Sequence, residues 1–285
     1  MPRYLFVPAL LLLCGCGEPS EPTPQPGGSA NYSSSLGPGP DFSSPNGRIA
    51  VSTWLQYGEN SLSGHFADGP ALRHHVESER IGNCRLVRYT PSSCAPVCEG
   101  GDVCVDSVCL SYPTRQDRGD LDWTWPDGQR TVTPDDLFGY FANDETTVGG
   151  EVSIEVDGLE LAAPTTDVLV ADGDWSALLQ GREGGADATL RWKNPIQWAR
   201  VRLHMTDCVG SHGGIAPAEI ECEGPDTGSL VLPGAFLDVL EGGDWSHGEC
   251  GSHMFQRYHA ASSANDPSIR FETVSEAGFF YFPER

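Results

Sequence analysis

The sequence predicts an all-β protein, an immunoglobulin-like or fibronectin-III-like β-sandwich stapled by disulfides. Three observations carry that expectation. Glycine and proline number 34 and 22 among 285 residues, and they punctuate the chain too often for long helices. Apolar residues recur at every second position in run after run, the period of a half-buried strand. Ten cysteines lie in a chain that opens like an exported one, the setting in which thiols become a disulfide framework.

The N-terminus reads "MPRYLFVPALLLLCGC". Arg3 precedes an apolar run from Tyr4 to Leu13, the length of a signal-peptide core and too short for a spanning helix, which needs about 20 apolar residues. Leu13-Cys14-Gly15-Cys16 is similar to the lipobox of bacterial lipoproteins, with an aliphatic residue three positions before the cysteine and a small residue just before it. The resemblance implies cleavage after Gly15, which makes residues 1–15 a lipoprotein signal peptide. It also implies diacylation of the Cys16 sulfur and acylation of its new amino group. Cys14 fits less well, because Leu13 would occupy the small-residue position. The alternative is an ordinary secretory signal cut elsewhere. A triacylated cysteine exceeds the two-signal requirement for stable anchoring. Gly17 is not the Asp that retains enteric lipoproteins at the inner membrane, so the expected location is the outer membrane, facing the periplasm or the surface.

From Gly17 to Pro45 the chain is dominated by Pro, Gly and Ser and has almost nothing to bury. Residues 16–45 therefore read as lipid anchor plus disordered linker, with a reach of about 30 Å. Strands follow. "GRIAVSTWLQY" places Ile49, Val51, Thr53 and Leu55 on one face, and "GNCRLVRYT" alternates again. "RGDLDWTWP" puts Leu121, Trp123 and Trp125 on one side and acids on the other, and "GEVSIEVDG" does the same with Val152, Ile154 and Val156. After Pro164 come "TTDVLVADGD", "ADATLRWKN", "WARVRLHMTD", "AEIECEG" and "GSLVLP". "PGAFLDVL" is a short helix candidate with Pro233 at its start, where a missing N–H costs nothing. "SHMFQRYHAAS", "SIRFETV" and "GFFYFP" close the chain as strands. The expected division is two sandwich domains, 46–160 with a cysteine-rich insert at 84–113, and 161–285. The alternative is one sandwich drawing on both halves.

Composition narrows the function. Cleavage before Cys16 removes Arg3 and no acid, taking the net charge from −23 to −24. Such a chain disfavours nucleic acid and anionic lipid surfaces, whose binding needs clustered Lys and Arg. The Lys and Arg residues near Arg73 to Arg88 and Arg191 to Arg202 are scattered along strands.

One segment carries a resemblance. Cys84, Cys94, Pro96, Cys98, Gly101, Cys104, Cys109, Tyr112 and Pro113, followed by Gly119 and Leu121, match a "C…C-x-P-x-C-x-x-G-x-x-C…C-x-x-Y-P" segment and its following strand. "CEGPDTGSLVLPGAFLDVL" supplies a second match. On these residues the chain resembles the cysteine-bearing β-sandwich lipoproteins of myxobacteria and other deltaproteobacteria. That resemblance implies a sandwich ectodomain and no particular activity.

Eight cysteines remain after Cys14 and Cys16. Cys94, Cys98, Cys104 and Cys109 have pair spacings that also suit structural zinc, but an exported chain favours disulfides. Similar spacings in small extracellular modules commonly pair first with third and second with fourth, giving Cys94–Cys104 and Cys98–Cys109. Cys208 and Cys222 flank a Gly-rich excursion and are paired next, which leaves Cys84 and Cys250 to bridge the two halves or stay free. Connectivity is not deducible from sequence.

Other constellations have bland readings beside their chemical ones. Asp226-Thr227-Gly228-Ser229 looks like an aspartic-protease motif, but that chemistry needs two carboxylates and the chain has no second copy. A turn with Gly228 at positive φ is the expected alternative. His247, Cys250, His253 and His259 suggest zinc or copper, although a strand puts His253 and His259 on one face and Cys250 on the other. "GSHGG" (Gly210 to Gly214) lacks a nucleophile elbow. His74-His75 is expected to be exposed. Acidic loops beside Trp175 and Trp245 suggest calcium or sugar stacking, without an EF-hand spacing. The reading is therefore an outer-membrane or surface lipoprotein with a structural or ligand-binding role toward glycan, peptide or envelope protein, and with no catalytic residues, metal or cofactor. The competing class is a metal-dependent hydrolase or an aspartic-type protease, with calcium or zinc as the alternative cofactor.

Overall fold

The computed structural model describes residues 35–54, 59–89, 94–100, 102–105, 107–144, 150–206, 216–242 and 252–280. Its first strands are β1 (Gly47–Trp54), β2 (Glu59–Phe66), β3 (His75–Ile81) and β4 (Cys84–Tyr89). A small hairpin, β5 (Val103–Val105) and β6 (Val108–Leu110), precedes β7 (Leu121–Trp125), β8 (Gly128–Val132) and β9 (Gly139–Asp144). Next come β10 (Glu151–Val156), β11 (Leu159–Pro164), β12 (Val170–Ala171), α1 (Trp175–Gln180) and β13 (Ala188–Lys193). The chain continues through β14 (Arg200–Thr206), β15 (Ala218–Pro225), β16 (Ser229–Leu232) and α2 (Gly234–Glu241) to β17 (Ser252–Ser262) and β18 (Ile269–Phe280).

Nine strands form one long sheet in the order β3-β4-β15-β14-β17-β18-β1-β2-β9. β1 runs parallel to β18, and the other pairings described in this sheet are antiparallel. Residue alternation sends odd-numbered β17 and β18 side chains to one face, which two smaller layers cover. Toward β9, the sheet β11-β10-β7-β8 packs Trp123, Ile154 and Val152 against Ile49, Leu62 and Phe271. Toward β4, the sheet β12-β13-β16 and both helices pack Trp192, Leu230 and Phe236 against Leu86, Leu203 and Phe255. The protein is thus an all-β sandwich with one broad sheet and a divided second layer.

A polar seam separates the two cores. The Arg257 side chain is fully buried there, donating to the carbonyls of Asp167 and Asn194 at 2.9 Å. Thr273 and Ser275 on β18 donate to the carbonyls of Pro164 and Asp167. These bonds satisfy the backbone of the segment between β11 and β12, which buries the carbonyls of an irregular stretch without loss.

Several expectations change. The two-domain division at residue 160 does not separate the described strands: the long sheet mixes β1–β4 and β9 with β14, β15, β17 and β18, and the described residues fall in one compact unit. Alternation shows that a strand has a buried face, but not which strand lies beside it. "SIRFETV" from Ile269 onward and the first three residues of "GFFYFP" lie in one continuous twelve-residue strand, β18, rather than in two. "TTDVLVADGD" contributes only the two residues of β12, and α1 follows, capped by the Asp174 side chain accepting from the Ala177 N–H. The helix expected after Pro233 is α2. Its Gly234 leaves no room for a side chain, since a Cβ would stand 2.4 Å from the carbonyl oxygens of Gly185 and Ala186.

Disulfides Cys94–Cys104 and Cys98–Cys109 staple the β5–β6 hairpin. Cys84 is bonded to Cys222, in place of the expected Cys208–Cys222 pair and of a Cys84–Cys250 bridge. The reason is register: β4 and β15 are antiparallel neighbours with Cys84 opposite Cys222, both facing the core. Cys84 therefore belongs to the main sheet and not to the insert. Cys208 and Cys250 lie outside the described residues, as do Cys16 and the signal segment. Of the linker expected over 16–45, residues 35–45 are described, and they are ordered against the sheet. Residues 35–45 lie as a strap over the uncovered face of the long sheet, with Arg200 donating to the carbonyls of Gly37 and Gly39 and Arg270 to Asp41 Oδ2 at 2.6 Å. A Pro/Gly-rich segment without apolar periodicity is held here through its carbonyls. No described helix is long and apolar enough to cross a membrane.

A candidate ligand groove on the uncovered sheet face

The same alternation that buries Val201, Leu203 and Met205 sends Arg200, Arg202 and His204 to the opposite face of β14. On β15 the outward residues are Glu219, Glu221 and Glu223, on β17 Met254, Gln256 and Tyr258, and on β18 Arg270 and Glu272. Arg48 and His65 complete the row on β1 and β2, where they pair across the strands. The strap at Asp41 to Pro45 and the loop Ala71 to His75 rise as walls, enclosing a groove of about 720 Å³. Its floor crosses six adjacent strands, from β15 to β2. At about 4.8 Å per strand spacing that is a trough of about 24 Å.

The floor is an ion network. The Glu272 carboxylate is buried and accepts from Arg48 Nη2 at 2.7 Å and Arg202 Nη1 at 2.8 Å, with Arg270 Nη1 at 3.8 Å. Burial alone would raise its pKa, but the Arg202, Arg48 and Arg270 charges more than offset it and hold the group at about 2. Arg202 also lies over the Tyr258 ring, 4.6 Å from the centroid, and donates to Gln256 Oε1. Burial, followed by the charge of Glu223 beside it, pushes the Tyr258 hydroxyl well above its usual range. At the β15 end, Glu221 is held by Arg73 at 2.7 Å and Arg85 at 2.5 Å. Glu219 accepts from His204 Nε2 at 3.1 Å and lies 3.5 Å from His75 Nε2. Burial of Glu219 is outweighed by the His204 hydrogen bond and the nearby positive groups, so its pKa falls.

The residues singled out in the sequence fall elsewhere. Asp226 is buried in the seam, with its carboxylate accepting from Trp192 Nε1 at 2.6 Å and the Ile196 N–H at 2.9 Å, and paired by charge with Arg257, whose Nε stands 2.7 Å away. Two donors and one ion pair fix this fully buried carboxylate as a structural anchor, and Gly228 has the positive φ (84°) of the turn reading. The aspartic-protease alternative loses its nucleophile-activating group. His253 and His259 share the inward face of β17, six residues apart, which places them about 20 Å from each other. One ion does not bridge that gap, and His247 and Cys250 lie outside the described residues. Burial lowers the His259 pKa to about 4, with the ring edge-on to Trp198. The "GSHGG" loop and Trp245 are likewise outside. Trp175 is buried in the core and donates to the Arg191 carbonyl at 2.8 Å, so it is not a sugar platform. Asp135 in its acidic loop caps a local turn, accepting from the Leu137 and Gly139 N–H groups. The sulfurs of the cysteine cluster are consumed by their two bridges.

Sequence reasoning missed the groove residues, because outward charges on a strand read as solvated surface. A usable signal was present: Arg48, Arg73, Arg85, Arg200, Arg202 and Arg270 are six of only 17 basic residues in a chain of net charge −23, and all six fall on one face. His75 is half-buried rather than exposed, and its Nε2 meets the Ala216 carbonyl at 2.7 Å.

No family model matches the chain, and no curated protein matches it. Among solved structures, one similar chain is that of a Ca2+-stabilised adhesin with which an Antarctic bacterium reaches out and binds ice. The two are 6% identical with a TM-score of 0.20, over 86% of this chain and 50% of that one. The chain thus spans half the length of the adhesin chain it matches. A likeness of that size carries no functional conclusion.

Proposed function

We propose that the protein is an envelope lipoprotein, anchored through Cys16, that binds a saccharide in the groove on its uncovered sheet face. The observation that carries the reading is the floor: a trough about 24 Å long in which guanidinium donors, carboxylate acceptors and the Gln256 amide alternate. A sugar hydroxyl both donates and accepts, so it finds partners along such a floor, as orienting polar groups in a pocket require. A peptide adding to a sheet needs an open strand edge, whereas this trough crosses strands over their face. A polyanion is disfavoured by the net charge of −23. The eight cysteines left after the lipobox and the disulfides among them suit an oxidising compartment.

The test is glycan-array screening of the full-length protein, followed by titration of the best glycan against wild type and Ala71→Trp. Ala71 is exposed on the groove wall, so the indole fills the trough without touching the core. Affinity is expected to drop at least about tenfold, or about 1.4 kcal/mol, with an unchanged melting temperature. An array without a single retained glycan, or full binding by the blocked variant, sinks the reading.

A further inference from the structure

We infer that His204, Glu219 and Glu221 form a binding site for a divalent first-row transition-metal ion, of which zinc is the probe. The site stands whether or not the groove takes a saccharide. One ligand atom from each of the three side chains lies within 4.8 Å of the other two. Their placement is fixed by the sheet: His204 is directly opposite Glu221 across β14 and β15, and Glu219 is the next outward residue along β15. Cross-strand neighbours on one face have Cβ atoms about 4.5–5.5 Å apart, close enough to share a ligand.

The spacing suits an ion of that size. Around a tetrahedral zinc with bonds of about 2.0–2.2 Å, ligand atoms stand about 3.4 Å apart. His204 Nε2 and Glu219 Oε2 are already 3.1 Å apart, so closing the triangle takes only small side-chain rotations. His204 is about half-exposed, at 47%, whereas Glu219 and Glu221 are at 17% and 16%. Two carboxylates are thus anchored in the floor and one imidazole swings at the surface, which leaves the remaining coordination position open toward the groove for water.

Second-layer contacts are in place. His75 lies beside the far Glu219 oxygen, 3.5 Å away, with its Nε2 hydrogen-bonded to the Ala216 carbonyl. Arg85 and Arg73 hold Glu221. Arg73 is 46% exposed and can turn into solvent when a dication arrives, while the less exposed Arg85 keeps the carboxylate in place. The donor set favours imidazole-seeking ions over calcium, which takes six to eight oxygens. Nothing comparable is left in the cysteine cluster, whose sulfurs are bonded to one another.

The experiment is calorimetric titration of zinc chloride into chelator-stripped full-length protein at near-neutral pH, with His204→Ala, Glu219→Gln and His74→Ala alongside. Expected is one equivalent of zinc in the micromolar range, weakened at least about tenfold by the first two substitutions and unaffected by His74→Ala, which lines the groove outside the triad. Unchanged urea midpoints identify the variants that remain folded, and the exposed His204 makes its variant the safer of the two. Absence of zinc binding, a response to calcium in its place, or zinc bound equally well by both triad variants overturns the inference.

Discussion

Removing Cys84–Cys222 and removing Cys94–Cys104 delete the same chemistry from two very different places, and the structure separates their effects. The first bridge closes 138 residues and the second closes 10. Loop-closure entropy assigns them about 5 and about 3 kcal/mol in the unfolded chain. The folded states widen the difference. Cys84 and Cys222 join β4 to β15 inside a core that includes Leu86, Ile220 and Phe236. The stapled segment from Cys94 through the β5–β6 hairpin, by contrast, exposes Val97 at 81% and Val108 at 55%, so it opens locally once a staple is cut and leaves the sandwich standing. Urea unfolding followed by tryptophan fluorescence reads both, since Trp123 and Trp192 sit in the two cores. Cys84→Ala/Cys222→Ala is expected to lose about 4–5 kcal/mol, and Cys94→Ala/Cys104→Ala less than about 1 kcal/mol of global stability. Equal losses, or the larger loss from the hairpin pair, would refute the assignment of the first bridge to the core.

Two further outcomes are expected. His259 is buried neutral, with its pKa lowered to about 4 from an ordinary 6.5, so the unfolded chain binds the proton more tightly. Its contribution is complete above pH 6.5 and is lost as pH falls toward 4, at most about 3 kcal/mol. His259→Phe should therefore show a shallower decline in urea midpoint over that window than wild type, and parallel declines would contradict the burial argument. Lipid anchoring at Cys16 predicts that the wild-type protein enters the detergent phase on phase partition while Cys16→Ser stays aqueous; identical partition of the two would exclude that attachment.

What the sequence made legible was whatever depends on one strand at a time. β7, β10 and β14 follow from alternation, since in each every second residue is apolar and buried whatever its neighbours are. α2 follows from Pro233 and an apolar turn. What depended on partners was not legible. The parallel contact of β1 with β18 joins residues 47 to 53 with residues 269 to 275, and no local pattern encodes it. The single-unit fold and the Cys84–Cys222 bridge are consequences of such pairings. The groove was hidden for the same reason: Arg48, Arg202 and Glu272 are unremarkable charges on separate strands until β14, β17, β18 and β1 lie side by side. Asp226 was misleading in the opposite sense. Its motif is local and suggestive, while its meaning is set by Arg257 from a distant strand.

The polarity of that face is not explained by stability. Taking the Glu272 carboxylate out of water costs several kcal/mol, and buried ion networks are often no more stable than apolar residues of equal volume. Beneath residues 35–45 the sheet already has an apolar option, since Tyr258, Ala260 and Val274 form a small cluster with Ala50. Yet β15, β14, β18 and β1 all send charged side chains to the floor, and the arginines sit where the acids would otherwise repel one another. A floor in which every strand presents a donor or acceptor toward an open trough gains little for folding. For the proposed saccharide it would offer partners along the trough, with the side chains already fixed by their neighbours. Pre-organisation of that kind lowers the ordering cost of binding, which is the use to which an expensive charged surface is best suited.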